Sequence, residues 1–266
     1  MLLTFALAAA VLYFIAAAVQ TRRLANGQTD AMRLPALIGF IAALLHGALH
    51  VRASQIAGGL DLHFFAALSL AALGIAMLTT TLALARPVGA LGIVVYPLAS
   101  TFALLYALAR PQPAALPLGW QIQLHAGLAL LAYAVLSLAA LVAIMLSVQE
   151  SALRRRKLST ALRLFPPLTL LESLLFKLIF VGFALLTLAL LSGIVFVEDL
   201  LAQHLVHKTV LSVLAWIIFS ALLAGRVWYG WRGRRAVRLT LIAMVLLVLA
   251  FFGSKFVLEL VLVRGA

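Results

Sequence analysis

The chain has 266 residues, of which 66% are hydrophobic and 10% charged, with a formal net charge of +13 and a mean hydropathy of +1.19. No water-soluble domain of this length has interior enough to hide that much apolar side chain, so a soluble globular fold is excluded. The absence of cysteine excludes disulfides, thiolate ligands and thiol redox chemistry. A helix crosses the hydrocarbon core with about 20 apolar residues, and backbone groups in lipid must be satisfied within the element. The expected class is therefore all-α and polytopic.

In chain order, the apolar runs predict eight spans: Leu2–Gln20, Leu34–Val51, Leu62–Ala85, Val88–Ala109, Gln121–Val148, Leu168–Val195, Val210–Ala224 and Leu239–Val263. The first contains the small run Ala16-Ala17-Ala18, which imitates a signal-peptide cleavage site. It has no basic residue ahead of it, and Arg22 and Arg23 follow it, so it reads as a retained anchor with an external N-terminus. Arg33 shares that first loop. Arg86 follows span three, Arg154, Arg155, Arg156, Lys157 and Arg163 follow span five, and Arg226, Arg232, Arg234, Arg235 and Arg238 follow span seven. These alternate loops hold 14 of the 20 basic residues, the bias that marks cytoplasmic segments. Arg52, Arg110 and Lys208 lie on the other side. Both termini are then external, and an odd number of spans would break the alternation. Pro87, Pro111, Pro113, Pro117, Pro166 and Pro167 end helices at their boundaries. With no linker or repeat, residues 1–266 read as a single integral domain of a bacterial cytoplasmic (inner) membrane. The positive charge belongs to loops, which points to a lipid bilayer and away from nucleic acid.

On this topology all six histidines lie at the external side. His46 and His50 share one face in the outer half of span two, being four residues apart. His63 opens span three. His125 lies about one turn inside span five. His204 and His207 precede span seven. Histidine is the commonest metal ligand and is costly in lipid, so His46 and His125, the deeper two, are the leading ligand candidates. The bland alternative is interfacial polarity or helix–helix contact. Zinc or copper would need several His or carboxylate ligands, and Asp61, Glu198, Asp199 and Glu259 are on the same side. Haem needs only one or two axial histidines and an apolar, aromatic pocket. Composition does not choose between them. Tyr133 follows His125 by eight residues and falls on nearly the same face. Lys255 and Glu259 are spaced to pair within span eight, while Glu172 and Lys177 are placed to reach the inner headgroups. Asp30 and Glu150 read as loop residues. No catalytic serine or nucleophile constellation is present, and the block from Trp228 to Arg235 lacks the spacing of a phosphate loop.

Leu124-His125-Ala126-Gly127, continuing through Leu131-Ala132-Tyr133-Ala134, resembles the histidine-bearing span of the cytochrome c assembly (CcsA-type) family. His207-Lys208-Thr209, Leu214-Ala215-Trp216 and Gly230-Trp231-Arg232-Gly233-Arg234-Arg235 resemble its next block. Pro166-Pro167, Leu171-Glu172 and Phe252-Gly253-Ser254-Lys255 are similar to the YpjD branch, to which HemX-like proteins are related. The resemblance implies handling of a b-type haem at the outer face. It makes His125 the axial ligand, His46 or His207 the opposite ligand, His50 a further candidate, and Tyr133 and Trp216 pocket walls. CcsA-type proteins also carry a tryptophan-rich external segment ending in Trp-Asp-Pro-Lys-Glu-Thr. Here Gln203–Thr209 keeps the Lys and a Thr without the tryptophans, Asp or Pro, and a second family histidine is replaced near Ala224. The expectation is therefore haem binding linked to cytochrome c assembly without synthase activity, and no enzymatic step by the chain itself. The rival expectation is a regulatory or scaffold subunit, its basic inner loops holding a metal-ion transporter or a haem-pathway enzyme as membrane partner. A small-ion transporter is disfavoured by the scarcity of carboxylates and of paired helix breaks within the spans.

Overall fold

A computed structural model describes residues 1–28, 33–85, 88–109, 119–155, 166–196, 203–253 and 255–256, excepting the side chains of 203–205. Its helices are α1 (Leu2–Ala25), α2 (Arg33–Ala57), α3 (Phe64–Ala85), α4 (Ala90–Ala109), α5 (Trp120–Arg154), α6 (Leu168–Phe196), α7 (Gln203–Tyr229) and α8 (Arg234–Val248). The last continues into a π-helical turn, Leu249–Gly253. No strand occurs among the described residues. All eight helices, the last taken with its π turn, are long and apolar enough to cross a membrane. They overrun the predicted spans: α1 takes in Arg22 and Arg23, and α7 starts at Gln203 rather than Val210. Hydropathy marks only the lipid-embedded stretch, whereas helical hydrogen bonding continues through the headgroup layer. Asp30, Arg86, Arg110, Arg156, Lys157, Arg163, Glu198, Asp199, Ser254 and Glu259 lie outside the described residues, as do Pro87, Pro111, Pro113 and Pro117 and the side chain of His204.

Residue size is distributed as lipid dictates. Helix α1 buries Ala6, Ala9, Ala10, Ala16 and Ala17 with Tyr13 and Gln20, and turns Leu3, Leu7, Val11, Phe14 and Ile15 outward. Lipid tails are as apolar as leucine, so burial of large side chains drives nothing. Close approach of backbones over small residues supplies the packing energy instead.

The chain forms two compact units. The first comprises Met1–Pro117 with Gln149–Leu168, the second Leu118–Val148 with Thr169–Ala266. In the first, α1 packs on α2 and α4, and α3 packs on the same two, giving a four-helix ring. Ala6, Leu49, Ala53, Ala66, Ala103 and Tyr106 form a core cluster within it. In the second, α5 meets α6 at Gly182 and Leu136, α6 meets α7 at Thr187 and Trp216, and α7 packs on α8. Tyr133 of α5 donates to the Leu247 carbonyl of α8, closing the ring. That carbonyl adjoins the π turn, where the regular i to i+4 ladder is disturbed and a side chain can take over an acceptor.

The second unit is tied, near the start of α6 and the end of α7, by an ion pair that hydropathy does not reveal. Glu172 does not simply reach the headgroups. It accepts from Arg226 Nη1 of α7 at 2.8 Å. The guanidinium also donates to the Trp231 carbonyl at 3.3 Å and lies 4.5 Å from the Phe176 ring centre. Gly230, at φ +62°, turns the chain so that the Trp231 N–H reaches the Gly225 carbonyl at 3.1 Å. The indole then lies on Gly225, where a Cβ would come within 2.3 Å of it.

Gly39 of α2 faces Tyr96 of α4, and a Cβ there would stand 2.6 Å from the phenol Cζ and hydroxyl. Tyr96 is fully buried, stacked on Tyr13 and within hydrogen-bond distance of Thr80, so it cannot withdraw. Gly39→Ala is expected to destabilise the first ring by about 1–3 kcal/mol, the cost of overpacking a tight interior. Denaturant titration of the protein in detergent micelles would check this.

Candidate functional site

The single histidine of α5, His125, is held by its neighbour helix. Ser192 of α6 donates its hydroxyl hydrogen to its own helix, at the Ala189 carbonyl, 2.8 Å away. Its oxygen is then the acceptor for His125 Nδ1, at 3.0 Å. With the proton on Nδ1, the Nε2 of a neutral His125 carries the lone pair. A hydrogen bond to one ring nitrogen is how proteins fix the tautomer and orientation of a metal-ligating histidine. Gly193 makes the contact close: a Cβ there would lie 3.1 Å from the imidazole Cε1. Tyr133 lies along the same helix, fully enclosed, with Phe251 and Phe252 of the π turn at 5.6 and 5.8 Å between ring centres. Trp216 is half-buried. Its Nε1 donates to Thr187 Oγ1 at 2.8 Å and its ring stacks on Phe183 at 5.5 Å. Tyr133 and Trp216, expected as pocket walls, therefore also fasten α5 to α8 and α7 to α6. His207 lies near the start of α7 and is exposed. His125, Tyr133, His207 and Trp216 all belong to the second unit.

His46 and His50 belong to the first unit. His46 is fully buried, with Nε2 at 2.8 Å from Ser69 Oγ and Nδ1 at 3.5 Å from the Tyr13 hydroxyl. Both of its ring nitrogens are engaged. His50 Nε2 meets the same Ser69 oxygen at 2.9 Å, and the two imidazoles stack at 5.5 Å. Tyr106 of α4 stacks on His50 at 4.6 Å and 10°. In the α2–α3 connection, His63 Nδ1 is 2.6 Å from Asp61 Oδ1, which also accepts the His63 backbone N–H at 3.1 Å. Tyr106 donates to Oδ2 at 3.3 Å. Burial pushes the Asp61 carboxyl up. The hydrogen bonds from the His63 side chain and backbone, the His63 charge and the Tyr106 hydroxyl outweigh that and hold it below the ordinary 3.8. Nε2 of His63 is buried without a partner among the described residues.

Sequence reasoning singled out the histidines but missed Ser69, Ser192 and the Asp61–His63 pairing. A lone serine in an apolar run carries no signal of its partner. The spacing Asp-x-His just before a helix does carry one, since an aspartate there reaches the backbone N–H two residues on. Among the described residues no group of three or more His, Asp or Glu could hold a metal ion. The arrangement thus offers one imidazole held at Nδ1 by Ser192 and a hydrogen-bonded polar track around His46.

Because Asp61 ionises more readily in the fold than unfolded, its contribution to stability is complete above pH 3.8 and is lost as pH falls below that value. Melting of the protein in micelles should lose stability on acidification through this range. Asp61→Asn should be less stable near neutrality, and its deficit should shrink in acid.

The chain matches the family described as Cytochrome C assembly protein over residues 32–262. It is 39% identical over 137 residues to the inner membrane protein YpjD of Escherichia coli K12, covering 52% of each chain. A 28.8 kDa protein from the nifR3-like 5' region of Azospirillum brasilense is 35% identical over 146 residues, 54% of each chain. The cytochrome c biogenesis protein CcsA of Gloeobacter violaceus is 30% identical over 102 residues, 38% of this chain and 30% of that one. The matched stretch thus spans about half the length of the YpjD and Azospirillum relatives. No solved structure matches. Eight apolar helices and the likeness to an inner membrane protein make this a multi-pass protein of a bacterial inner membrane. It belongs to the cytochrome c assembly protein family, in a YpjD-like branch.

Proposed function

We propose that this protein binds and handles haem in cytochrome c biogenesis, with His125 as the iron ligand and without synthase activity of its own. The observation that supports the reading is the His125–Ser192 bond, which holds Nδ1 of a half-buried imidazole and leaves the Nε2 lone pair out of that bond. The family membership and the naming of the CcsA relatives as cytochrome c biogenesis proteins support it. When bound, a haem would supply an iron centre that the His125 imidazole would hold. Ser192 holds the His125 ring in orientation and keeps its proton on Nδ1. Gly193 sets how closely α6 lies against that ring, and the aromatic side chains of the second unit exclude water. His207 would be the second residue to hold the group, because His46 already engages both of its ring nitrogens. The absence of cysteine precludes thioether attachment, so a haem would be held without a covalent bond to the chain, in keeping with the b type that the resemblance implies.

A scaffold role is the second reading, favoured by one observation. Trp228 and Tyr229 are each 75% exposed beside the basic block that follows α7. On that reading the loop binds a membrane partner and the histidines only join helices.

The test is the absorption spectrum of protein purified in mild detergent from haem-replete cells. The parent should give a Soret band with sharp reduced α and β bands, and His125→Ala should lose or shift them. Ser192→Ala should retain the band while weakening haem affinity about 10–100-fold, the usual effect of removing the partner of a ligating histidine. A parent without a Soret band after haem supplementation would reject haem binding. Reversing charge in the α7–α8 loop and assaying partner capture would then be decisive for the scaffold role.

A further inference from the structure

The turn between α7 and α8 concentrates positive charge that haem ligation at His125 does not use. Arg232, Arg234, Arg235 and Arg238 are all exposed, and among the described residues none of them has an ion-pair partner. Only Arg226, on the α7 side, is neutralised, by Glu172. The turn is nonetheless built rather than slack. Gly230–Gly233 join the two helices, and the two glycines take φ of +62° and +58°, which residues with a Cβ rarely adopt. Trp231 is held at both ends of its peptide unit. Its N–H donates to the Gly225 carbonyl at 3.1 Å, and its carbonyl accepts from Arg226 at 3.3 Å. The indole lies against Gly225 and stacks with Tyr229 at 6.2 Å between ring centres.

Arg235, in the first turn of α8, places its guanidinium carbon 4.9 Å from the centre of that fixed indole. An arginine side chain is long and mobile, and the ring restrains it. The contact does not consume its charge, and a guanidinium over an aromatic face keeps N–H donors at its rim. Such a fork matches the oxygens of a phosphate two at a time. The position of the turn decides where that phosphate comes from. Both flanking helices are long and apolar enough to cross a membrane, and a link of this length rises less than about 10 Å above their ends. Trp228 and Tyr229, each 75% exposed at the end of α7, are the residue types that settle at headgroup level. The arginines beside them are then at the level of lipid phosphates. A stable protein contact takes roughly 20–30 residues per side, far more than this turn offers.

We propose that the α7–α8 turn is a binding site for the phosphate of an anionic phospholipid. Arg235 is its oriented fork, Arg232 and Arg234 supply the neighbouring charge, and Trp231 is the positioning residue that holds Arg235. Loop arginines in general attract an anionic surface diffusely. This site differs in that one guanidinium is held on a ring that is itself tied through Arg226 to Glu172 of α6. The site makes no use of His125, so it stands or falls independently of haem.

The test is native mass spectrometry of the full-length protein in detergent, titrated with phosphatidylglycerol or with phosphatidylcholine of the same acyl chains. The parent should bind the first phosphatidylglycerol more tightly than the first phosphatidylcholine. Arg235→Lys, an exposed change that keeps the charge and removes the fork, should weaken that first event about fivefold, and Arg235→Gln at least as much. Trp231→Leu should weaken it with every arginine still present, while Trp231→Phe, which keeps a ring beside the guanidinium, should retain most of it. Arg22→Gln, a charge change at the end of α1, should leave it unaltered. Equal affinity for the two lipids, Arg235→Lys behaving as the parent, or an equal loss at Arg22→Gln would overturn the site in favour of diffuse attraction. Displacement of the lipid by millimolar inorganic phosphate would overturn the lipid assignment. Turn variants that keep the lipid preference but lose a captured membrane protein would give the surface to the scaffold role instead.

Discussion

A hydrocarbon solvent offers no hydrogen bonds, and this constrains the polar side chains that meet across the helix contacts. The backbone solves the problem by becoming helical. The side chains solve it pairwise across helix contacts: Ser192 with His125, Ser69 with His46 and His50, Thr187 with Trp216, Thr80 with Tyr96, and Tyr133 with the Leu247 carbonyl. Each pair fixes which helix faces which. The alanine and glycine surfaces let the backbones come close, but a smooth alanine face has little register of its own. The polar pairs supply it.

The environments of His125 and His46 differ in which ring nitrogens they engage. His125 meets one hydroxyl whose hydrogen is already committed, so one ring nitrogen is satisfied and the other is left as a base. His46 has a hydroxyl on both sides, so neither nitrogen is spare. Ser69, unlike Ser192, is shared between two imidazoles and has no fixed direction of donation. The same pair of residue types thus yields a pinned imidazole in one unit and a hydrogen-bonded line without a fixed direction in the other.

The fold was largely legible in the sequence. Apolar length placed α1 to α6 to within a turn or two. The start of α7 was misjudged because His207 and Lys208 lower the hydropathy of a stretch that is nonetheless helical. The π turn after α8 has no sequence marker, since Leu249–Phe252 is as apolar as what precedes it. Of the site, the histidines could be read and their partners could not. A serine within an apolar run looks the same whether it faces lipid or an imidazole, and only the packing of α6 against α5, or α3 against α2, distinguishes the cases. Glu172 looked like an interfacial residue because Arg226 is 54 positions away.

The outward-facing Leu3, Val11, Phe14 and their like mean that the dissociated state of this protein is still helical and still in lipid. Side-chain bonds are therefore scored against separated helices, in which a serine can return its hydroxyl to a carbonyl of its own helix. Interhelical hydrogen bonds measured against that reference average only about 0.6 kcal/mol. Cohesion of that size is a weak reason to place histidines deep in a bilayer, where each must also be desolvated. The free energy of holding His46, His50 and His125 in place is better accounted for by what their ring nitrogens do than by how firmly they join helices.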